Sequence, residues 1–333
     1  MSDQIQQNIQ TLHAYRNKML AELGKTVVGQ HEVLEQLLIT VFAGGHNLLE
    51  GVPGLAKTLM INTLGKVLSL NFKRIQFTPD LMPSDIVGTN VIEEDHETGK
   101  RVTRFVPGPV FTNIVLADEI NRTPPKTQAA LLQAMQEKEV TSGGQTYTLE
   151  PPFFVLATQN PIDQEGTYPL PEAQKDRFLM NTFINYPTAQ EEEDIVLRTT
   201  SNEVSDVQAV CDAPTVLFFQ NIVRSIPVSR HVTGYAVDLV RSTRPNESGV
   251  PAFVKEQIGW GAGPRASQAL ILCAKCHAAL SGRVNVSCDD IRYVALAVLR
   301  HRIAASFTAE AEGITTDTIV QRLIKEVPER SGS

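Results

Sequence analysis

One stretch of this chain combines residue types that suit the binding of phosphate groups. It follows the phosphate-loop pattern of glycine, four residues and Gly-Lys-Ser/Thr, with alanine in place of the last glycine. Backbone N–H groups of such a loop surround phosphate oxygens, the lysine reaches the outer phosphates, and the threonine hydroxyl can ligate Mg²⁺. The residues predicted to bind a nucleotide here are Gly51, Val52, Pro53, Gly54, Leu55, Ala56, Lys57, Thr58 and Leu59.

The departure at Ala56 carries a backbone prediction. Alanine keeps the backbone N–H donor but adds a methyl group, which left-handed backbone accommodates poorly. We therefore expect Ala56 at negative φ, with its N–H turned toward the phosphates. The alternative interpretation is a chance glycine-rich turn in front of a helix.

A pair of carboxylates forms the second candidate element. Asp118 and Glu119 follow the apolar run 114–117, and ligands of open α/β sheets bind beyond the carboxyl ends of strands. Asp118 would hold Mg²⁺, and Glu119 would polarise a water for attack on a γ-phosphate. Asn160 follows the next apolar run and could orient that water. Taken singly, these residues are equally typical of helix N-terminal charges and of a loop amide before proline.

The elements around these residues follow an alternating order. Residues 46–50 predict a buried strand, and residues 58–70 have apolar side chains at helical spacing, which places a helix N-terminus at the loop. Further strands are predicted at 72–77, 113–117, 153–157 and 182–186, with hairpins at 90–106 and at 139–149, the second turning at Gly143-Gly144. Apolar strands that alternate with helices predict a parallel, three-layer α/β domain.

The pattern changes after Pro187. Strand patterns stop, and helical stripes continue from about residue 190 to residue 324. We therefore predict an α/β nucleotide-binding domain over residues 1–187 and an α-helical domain over residues 188–333.

Composition narrows the function classes. The chain has 333 residues, of which 42% are hydrophobic and 20% charged, with a net charge of −7. A chain-wide attraction to nucleic acid is therefore not expected. No apolar run reaches the length of a membrane span, and the N-terminus lacks the pattern of a secretory signal, so we expect a cytoplasmic protein.

Four cysteines raise the question of metal or haem binding. Cys273, Cys276 and His277 fit the haem attachment pattern, and together with Cys288 they could ligate zinc. These residues, apart from Cys288, fall inside a predicted helix over residues 269–280. We favour the interpretation that the four cysteines, including Cys211, are small packing residues in a reducing compartment.

The combined motifs resemble those of the AAA+ ATPases, and the residues within them are similar to those of the MoxR group. The resemblance extends from about residue 28 to residue 265. Its segments are residues 50–58, 76–85, 117–122, 124–128, 158–161 and 166–174. A phosphate loop with alanine at position 56 resembles the loop of this group.

The resemblance implies further roles. It implies that Gly29 and Gln30 lie near the adenine, and that Asn160 is the sensor 1 residue. It also implies that Arg177 reaches into a neighbouring subunit's site and that Arg265, as sensor 2, projects toward the γ-phosphate. Arg122 is a further candidate interface arginine. By residue type alone, Arg177 is better interpreted as a surface arginine that pairs with Asp176 or Glu172, and the alternative for Arg265 is a solvated arginine at the start of a helix.

The function implied is an Mg²⁺-dependent ATPase that remodels a protein client, often with a von Willebrand A-type partner. A site that needs a neighbour's arginine is incomplete in a monomer, so we expect a ring, a hexamer by resemblance. The hairpins resemble insertions that face a pore or partner, with Phe105, Phe111 and Tyr147 as candidate contacts or packing residues. The alternatives are a nucleotide-gated scaffold that does not hydrolyse ATP and a nucleic-acid motor.

Overall fold

The computed structural model describes residues 2–52, 54–94, 101–160, 166–200 and 206–330. Strands and helices are numbered in chain order. The strands are β1 (Asn47–Glu50), β2 (Phe72–Gln76), β3 (Gly88–Glu94), β4 (Arg101–Pro107), β5 (Ile114–Asp118), β6 (Glu139–Ser142), β7 (Gln145–Thr148), β8 (Phe154–Gln159), β9 (Met180–Phe183), β10 (Ile258–Trp260) and β11 (Ala304–Ala305).

The helices surround the main sheet and form the C-terminal part of the chain. They are α1 (Ser2–Gly24), α2 (His31–Ala43), α3 (Lys57–Val67), α4 (Pro83–Val87), α5 (Pro125–Glu137), α6 (Glu172–Lys175), α7 (Ala189–Thr199), α8 (Ala213–Ser225), α9 (Arg230–Arg241), α10 (Ala252–Gln257), α11 (Pro264–Leu280), α12 (Cys288–Leu299), α13 (Phe307–Ala311) and α14 (Thr316–Glu326), with a 3₁₀ helix at Ile120–Arg122. Across the described residues, we find no helix with the length and apolar character that a bilayer crossing requires.

Five parallel strands form the central sheet, in the order β2-β5-β8-β1-β9. Strand β5 is buried throughout and β8 is buried except at its last residue, as expected for parallel strands covered on both faces. The predicted three-layer α/β core with a C-terminal helical lid is confirmed. The predicted last strand, 182–186, is wrong in extent, because β9 pairs with β1 from Met180 to Phe183.

The two faces of the sheet contribute to separate hydrophobic clusters. In β5, Ile114 and Leu116 join one cluster, whereas Val115 and Ala117 join the other. This follows from the two-residue period of a strand, which sends successive side chains to opposite faces. Each cluster needs helices to cover it, and this requirement produces the three layers.

Both predicted hairpins are present. Strands β3 and β4 pair antiparallel, and so do β6 and β7. Gly143 and Gly144 both have positive φ, 58° and 80°, which is the backbone that a two-residue hairpin turn requires. Phe105 stacks on Tyr147 with ring centroids 4.0 Å apart and contacts Phe111 edge to face. These aromatic residues therefore pack the two hairpins together.

The C-terminal part is mainly helical, as predicted, but it also contains the short antiparallel pair β10–β11. The expectation that strands end before residue 190 is wrong at this point, since strands of two or three residues leave no periodic pattern. Helices α1 and α2 pack against α8 and α11, so one hydrophobic cluster extends across residue 187. The domain boundary near that residue stays a prediction.

The four cysteines are buried and free. Cys273 and Cys276 lie in the middle of α11 with no exposed surface, so a haem has no access to them. Burial raises the pKa of the Cys273 thiol to about 12, which keeps it protonated and unreactive. His277 instead bonds Asp290, with Nδ1 and Oδ1 2.7 Å apart. The packing interpretation of Cys273 and Cys276 agrees with this arrangement.

A buried arginine joins the helical part to the central sheet. The Arg302 side chain is 3% exposed, and its Nε donates to Asp176 Oδ1 at 2.8 Å. Its Nη2 donates to the Phe178 carbonyl at 2.6 Å, and its Nη1 donates to the Leu179 carbonyl at 3.1 Å. The guanidinium therefore donates hydrogen bonds to the backbone carbonyls immediately before β9 and neutralises the Asp176 carboxylate.

Two preceding residues extend this contact, and we call Arg300, His301 and Arg302 the basic run. His301 Nε2 lies 3.1 Å from the Phe178 carbonyl, and Arg300 Nη1 donates to the Asn181 carbonyl at 3.3 Å. Burial holds the pKa of His301 well below its usual range, so the ring is neutral and donates through Nε2. The basic run thus fixes the end of α12 against β9.

We expect Arg302→Ala to lower the free energy of unfolding by about 3 kcal/mol, because it removes the donor to the Leu179 carbonyl and one of two donors to the Phe178 carbonyl, and leaves Asp176 without its main partner. Arg241→Ala is the matched control, since Arg241 pairs with Glu247 at the surface. Urea denaturation followed by circular dichroism measures both. Equal midpoints for the two variants would contradict the role given to the basic run.

Candidate functional site

The predicted phosphate loop connects β1 to α3, and Lys57 is the first residue of that helix. Lys57 Nζ donates to the Gly51 carbonyl at 2.5 Å. Burial lowers the pKa of Lys57, while the nearby Asp118 and Glu119 carboxylates oppose that shift. A Cβ on Gly51 would lie 2.8 Å from the Ile184 carbonyl, so this position requires glycine. Pro53 lies outside the described residues.

The backbone prediction for Ala56 is wrong. Ala56 has φ 52° and ψ 24°, in the left-handed region, and is the N-cap of α3. Its carbonyl accepts the bond from Met60 N–H that starts the helix, at 2.9 Å. This conformation costs an alanine about 1 to 2 kcal/mol. The usual glycine therefore reflects backbone geometry, and this chain accepts the strain instead of avoiding it.

A cavity of about 170 Å³ adjoins the loop. It brings together Gln30, Leu55, Ala56 and Leu59, which the sequence analysis assigned to the nucleotide. Its other walls include residues of α7. Gly29 next to it has φ 65°, and a Cβ there would overlap the Glu191 carboxylate. The cavity is mostly apolar and lies beside the loop, which suits the flat face of a nucleobase.

Asp118 ends β5, and its side chain is 12% exposed. Its Oδ1 accepts from the Thr158 hydroxyl at 2.6 Å. Its Oδ2 accepts from Arg74 Nε at 3.0 Å and from Arg74 Nη2 at 2.6 Å. One neighbour on each flanking strand thus orients this carboxylate.

Glu119 follows directly, with φ 57°. Its backbone N–H donates to the Thr158 hydroxyl at 2.8 Å, so this hydroxyl bonds both acidic residues. Its Oε2 accepts from Gln76 Nε2 at 3.0 Å and from Arg122 Nη1 at 3.1 Å. Arg122, considered above as an interface arginine, is therefore paired within its own chain.

No role for Arg74, Gln76 or Thr158 was predicted from the sequence. The available signal was weak: Gln76 and Thr158 lie at or just after the carboxyl end of a predicted strand, and Arg74 lies inside one. Only the strand order shows that β2 and β8 flank β5 and bring these three side chains to the acidic pair.

Asn160 is 6% exposed and follows β8, which lies between β5 and β1. Its place is therefore between the acidic pair and the loop. Thr58 is the second residue of α3 and half-buried. A hydroxyl and a carboxylate are oxygen ligands of the kind that Mg²⁺ prefers, so Thr58 and Asp118 fit that ion by residue type. Arg74 is paired with Asp118 in this structure, so Mg²⁺ would compete with that guanidinium for the carboxylate.

The two remaining predicted residues lie elsewhere. Arg177 precedes β9, and its Nη1 donates to the Leu132 carbonyl at 2.9 Å. Arg265 Nη1 lies 3.7 Å from Asp176 Oδ2, in the first turn of α11, which Pro264 opens as predicted. Both arginines are therefore at the amino end of β9.

The phosphate loop lies at the opposite end of these strands, after the carboxyl end of β1. Met180 pairs with Asn47, so the four residues of β1 separate the two ends by roughly 13 Å at the usual rise of a strand. In this structure the Arg265 side chain is paired with Asp176 at the amino end of β9, so its role toward a γ-phosphate stays a prediction. The basic run fixes the helical part against this end of the strands.

Comparison with known proteins gives the following matches. The family model "ATPase family associated with various cellular activities (AAA)" matches residues 46–180, and "AAA lid domain" matches residues 252–323. The Mycobacterium tuberculosis protein "Chaperone MoxR1" is 40% identical, over 93% of this chain and 81% of that protein. The Methylorubrum extorquens "Protein MoxR" is 31% identical, over 85% of each.

A solved structure is similar over nearly the whole chain. The crystal structure of a Cytophaga hutchinsonii protein assigned as an ATPase superposes with a TM-score of 0.88. It is 44% identical and the match covers 98% of this chain and 99% of that one. The central sheet and the helical part therefore occur together in an experimentally determined relative.

Two substitutions in the phosphate loop should have very different effects on nucleotide affinity. We expect Gly51→Ala to abolish binding of a fluorescent ATP analogue, because the methyl group collides with the Ile184 carbonyl. Ala56→Gly should keep affinity within about threefold, since it removes strain of about 1 kcal/mol from the loop. Fluorescence anisotropy measures both, with melting curves to confirm folding. Loss of binding in Ala56→Gly would contradict the assigned backbone.

Proposed function

Because this chain belongs to the MoxR family of AAA+ ATPases, we propose that it couples hydrolysis of Mg²⁺-ATP to the remodelling or maturation of partner proteins. The observation that carries the proposal is the Thr158 hydroxyl, which bonds both Asp118 and Glu119 at the edge where Lys57 begins α3. This arrangement places an acid pair opposite a lysine across one edge of the sheet.

The residues would divide the chemistry as follows. Lys57 neutralises the outer phosphates, and N–H groups of the loop and of α3 bond their oxygens. Thr58 and Asp118 would hold Mg²⁺, which neutralises charge on the β- and γ-phosphates when bound. Gln30 and Leu59 line the cavity beside the loop and would contact the adenine there, and Gly29 would lie next to them.

Glu119 would act as the general base. Gln76 and Arg122 both donate to Oε2, so among the described residues Oε1 is the oxygen left to accept a proton from water. Asn160, between the acidic pair and the loop, would orient that water. In the structure the two donors also hold Glu119 in place, so its movement toward water requires them to release it.

Arg177 and Arg265 would serve a neighbouring subunit. Both lie at the amino end of β9, across the sheet from the loop of their own chain. A guanidinium from one subunit that reaches the phosphates of the next stabilises the charge that develops during transfer. This supports a closed ring, which we propose to be a hexamer.

The proposal that the partner is a protein client rests on the relationship to other family members. The word chaperone in the name of the Mycobacterium tuberculosis relative supports a protein client. A von Willebrand A-type partner and a cytoplasmic setting are proposed from the family resemblance alone. A nucleotide-gated scaffold and a nucleic-acid motor are the alternatives that the experiments below separate.

Glu119→Gln should lower ATP turnover at least about 100-fold while ATP affinity changes little, because the amide keeps the shape but cannot accept the proton. Phosphate release and ATP-analogue binding are measured together. Glu137→Gln, on the exposed end of α5, is the control and should behave like the wild type. Full turnover in Glu119→Gln would sink the assignment of the base. No turnover in the wild type would favour the scaffold, and turnover that requires DNA and falls steeply with salt would favour the motor.

Shared sites predict rescue on mixing. Lys57→Ala and Arg177→Ala should each be inactive, but a mixture should regain activity, because some sites combine Lys57 of one chain with Arg177 of another. A mixture of Lys57→Ala and Glu119→Gln is the control, since both changes affect the same side of the site and no pairing restores it. Absence of rescue in the first mixture, with rings formed, would contradict the trans role of Arg177.

A further inference from the structure

Three potential metal ligands meet at a place that none of the chemistry above uses. His231 lies in the first turn of α9, Cys288 is the first residue of α12, and Glu329 follows α14. Their ring nitrogen, thiol sulfur and carboxylate oxygen all lie within 4.8 Å of one another. We propose that these three residues form a zinc site that fastens the end of the described chain to the helical part.

The spacing suits a tetrahedral ion. His231 Nε2 and Glu329 Oε2 are 3.2 Å apart. Zinc bonds to nitrogen and oxygen of about 2.1 Å, at a tetrahedral angle, separate these two atoms by about 3.4 Å. The nitrogen and oxygen need only a small adjustment to share one ion, and the sulfur is within reach of the same point.

The donor set also suits zinc. Imidazole nitrogen, thiolate sulfur and carboxylate oxygen are its three common protein ligands, whereas Mg²⁺ and Ca²⁺ avoid sulfur. The Cys288 side chain is 5% exposed, while His231 and Glu329 are partly exposed, so an ion has an entry path and a water can take the fourth position. Binding replaces the thiol proton with the ion.

Surrounding residues hold the carboxylate in a one-oxygen geometry. Arg292 Nη2 donates to Glu329 Oε1 at 2.5 Å, which leaves Oε2 toward His231. Asp289 accepts from the same guanidinium at 2.6 Å and offsets its charge. The Arg292 guanidinium lies over the Tyr235 ring, 5.0 Å from its centroid. Partners of this kind orient ligands in known metal sites.

The site joins elements that are distant in sequence. Arg330, next to Glu329, pairs with Asp238 of α9, and Val327 is buried. An ion held by all three ligands would therefore hold the described segment after α14 against α9 and α12. The structure assigns this site independently of the nucleotide chemistry, which lies at the central sheet.

The test uses the untagged full-length protein, stripped with chelator and dialysed against ZnCl₂ with excess Mg²⁺ to occupy the Thr58–Asp118 site. We expect about one zinc per chain by atomic spectroscopy and a higher melting temperature. Cys288→Ser and His231→Gln should each weaken zinc binding at least about tenfold. Cys211→Ser, a buried thiol outside the cluster, is the matched control and should bind like the wild type.

Cobalt(II) gives a second signal that does not depend on folding stability. It should produce thiolate-to-cobalt charge-transfer absorption in the wild type and in Cys211→Ser, but not in Cys288→Ser. His231→Gln changes a partly exposed ring, so it keeps the test valid if Cys288→Ser fails to fold. Failure to retain zinc, or zinc that both cluster variants retain, would overturn the proposal.

Discussion

The parallel pairing of β5, β8 and β1 is the constraint on which the candidate site depends. It brings the phosphate loop, the acidic pair and Asn160 to one edge, although they are separated by many residues in the chain. The Thr158 hydroxyl then orients both acidic residues through one side chain. Without that register, each of these residues would be an ordinary polar residue at the end of a strand.

Strain is concentrated at the same edge. Ala56 and Glu119 both have left-handed backbone, which costs a residue with a side chain about 1 to 2 kcal/mol. Such conformations persist where the surrounding structure determines them and where function benefits. Here they start α3 at the loop and turn the chain after β5, so each aims backbone or side-chain groups at the site.

The basic run fixes the end of β9 at which two candidate site residues, Arg177 and Arg265, lie. It satisfies carbonyls and a carboxylate at the amino end of β9 and thereby fixes the helical part at that edge. Arg177 and Arg265 are held there, away from the loop of their own chain. The same buried hydrogen bonds therefore keep both arginines away from the phosphate loop of their own chain, as the proposed ring requires.

The sequence by itself determined the local features: the loop, the acidic pair, the hairpin turn at Gly143-Gly144 and the alternation of strands with helices. Each is set by neighbours within a few residues, through periodicity and turn geometry. Only the tertiary structure decided which strands are adjacent, and so that Arg74, Gln76 and Thr158 meet the acidic pair. It also decided the φ of Ala56, the position of Arg265 and the meeting of His231, Cys288 and Glu329. The reason is physical: contacts between distant segments depend on how whole elements pack, and local sequence patterns do not encode that packing.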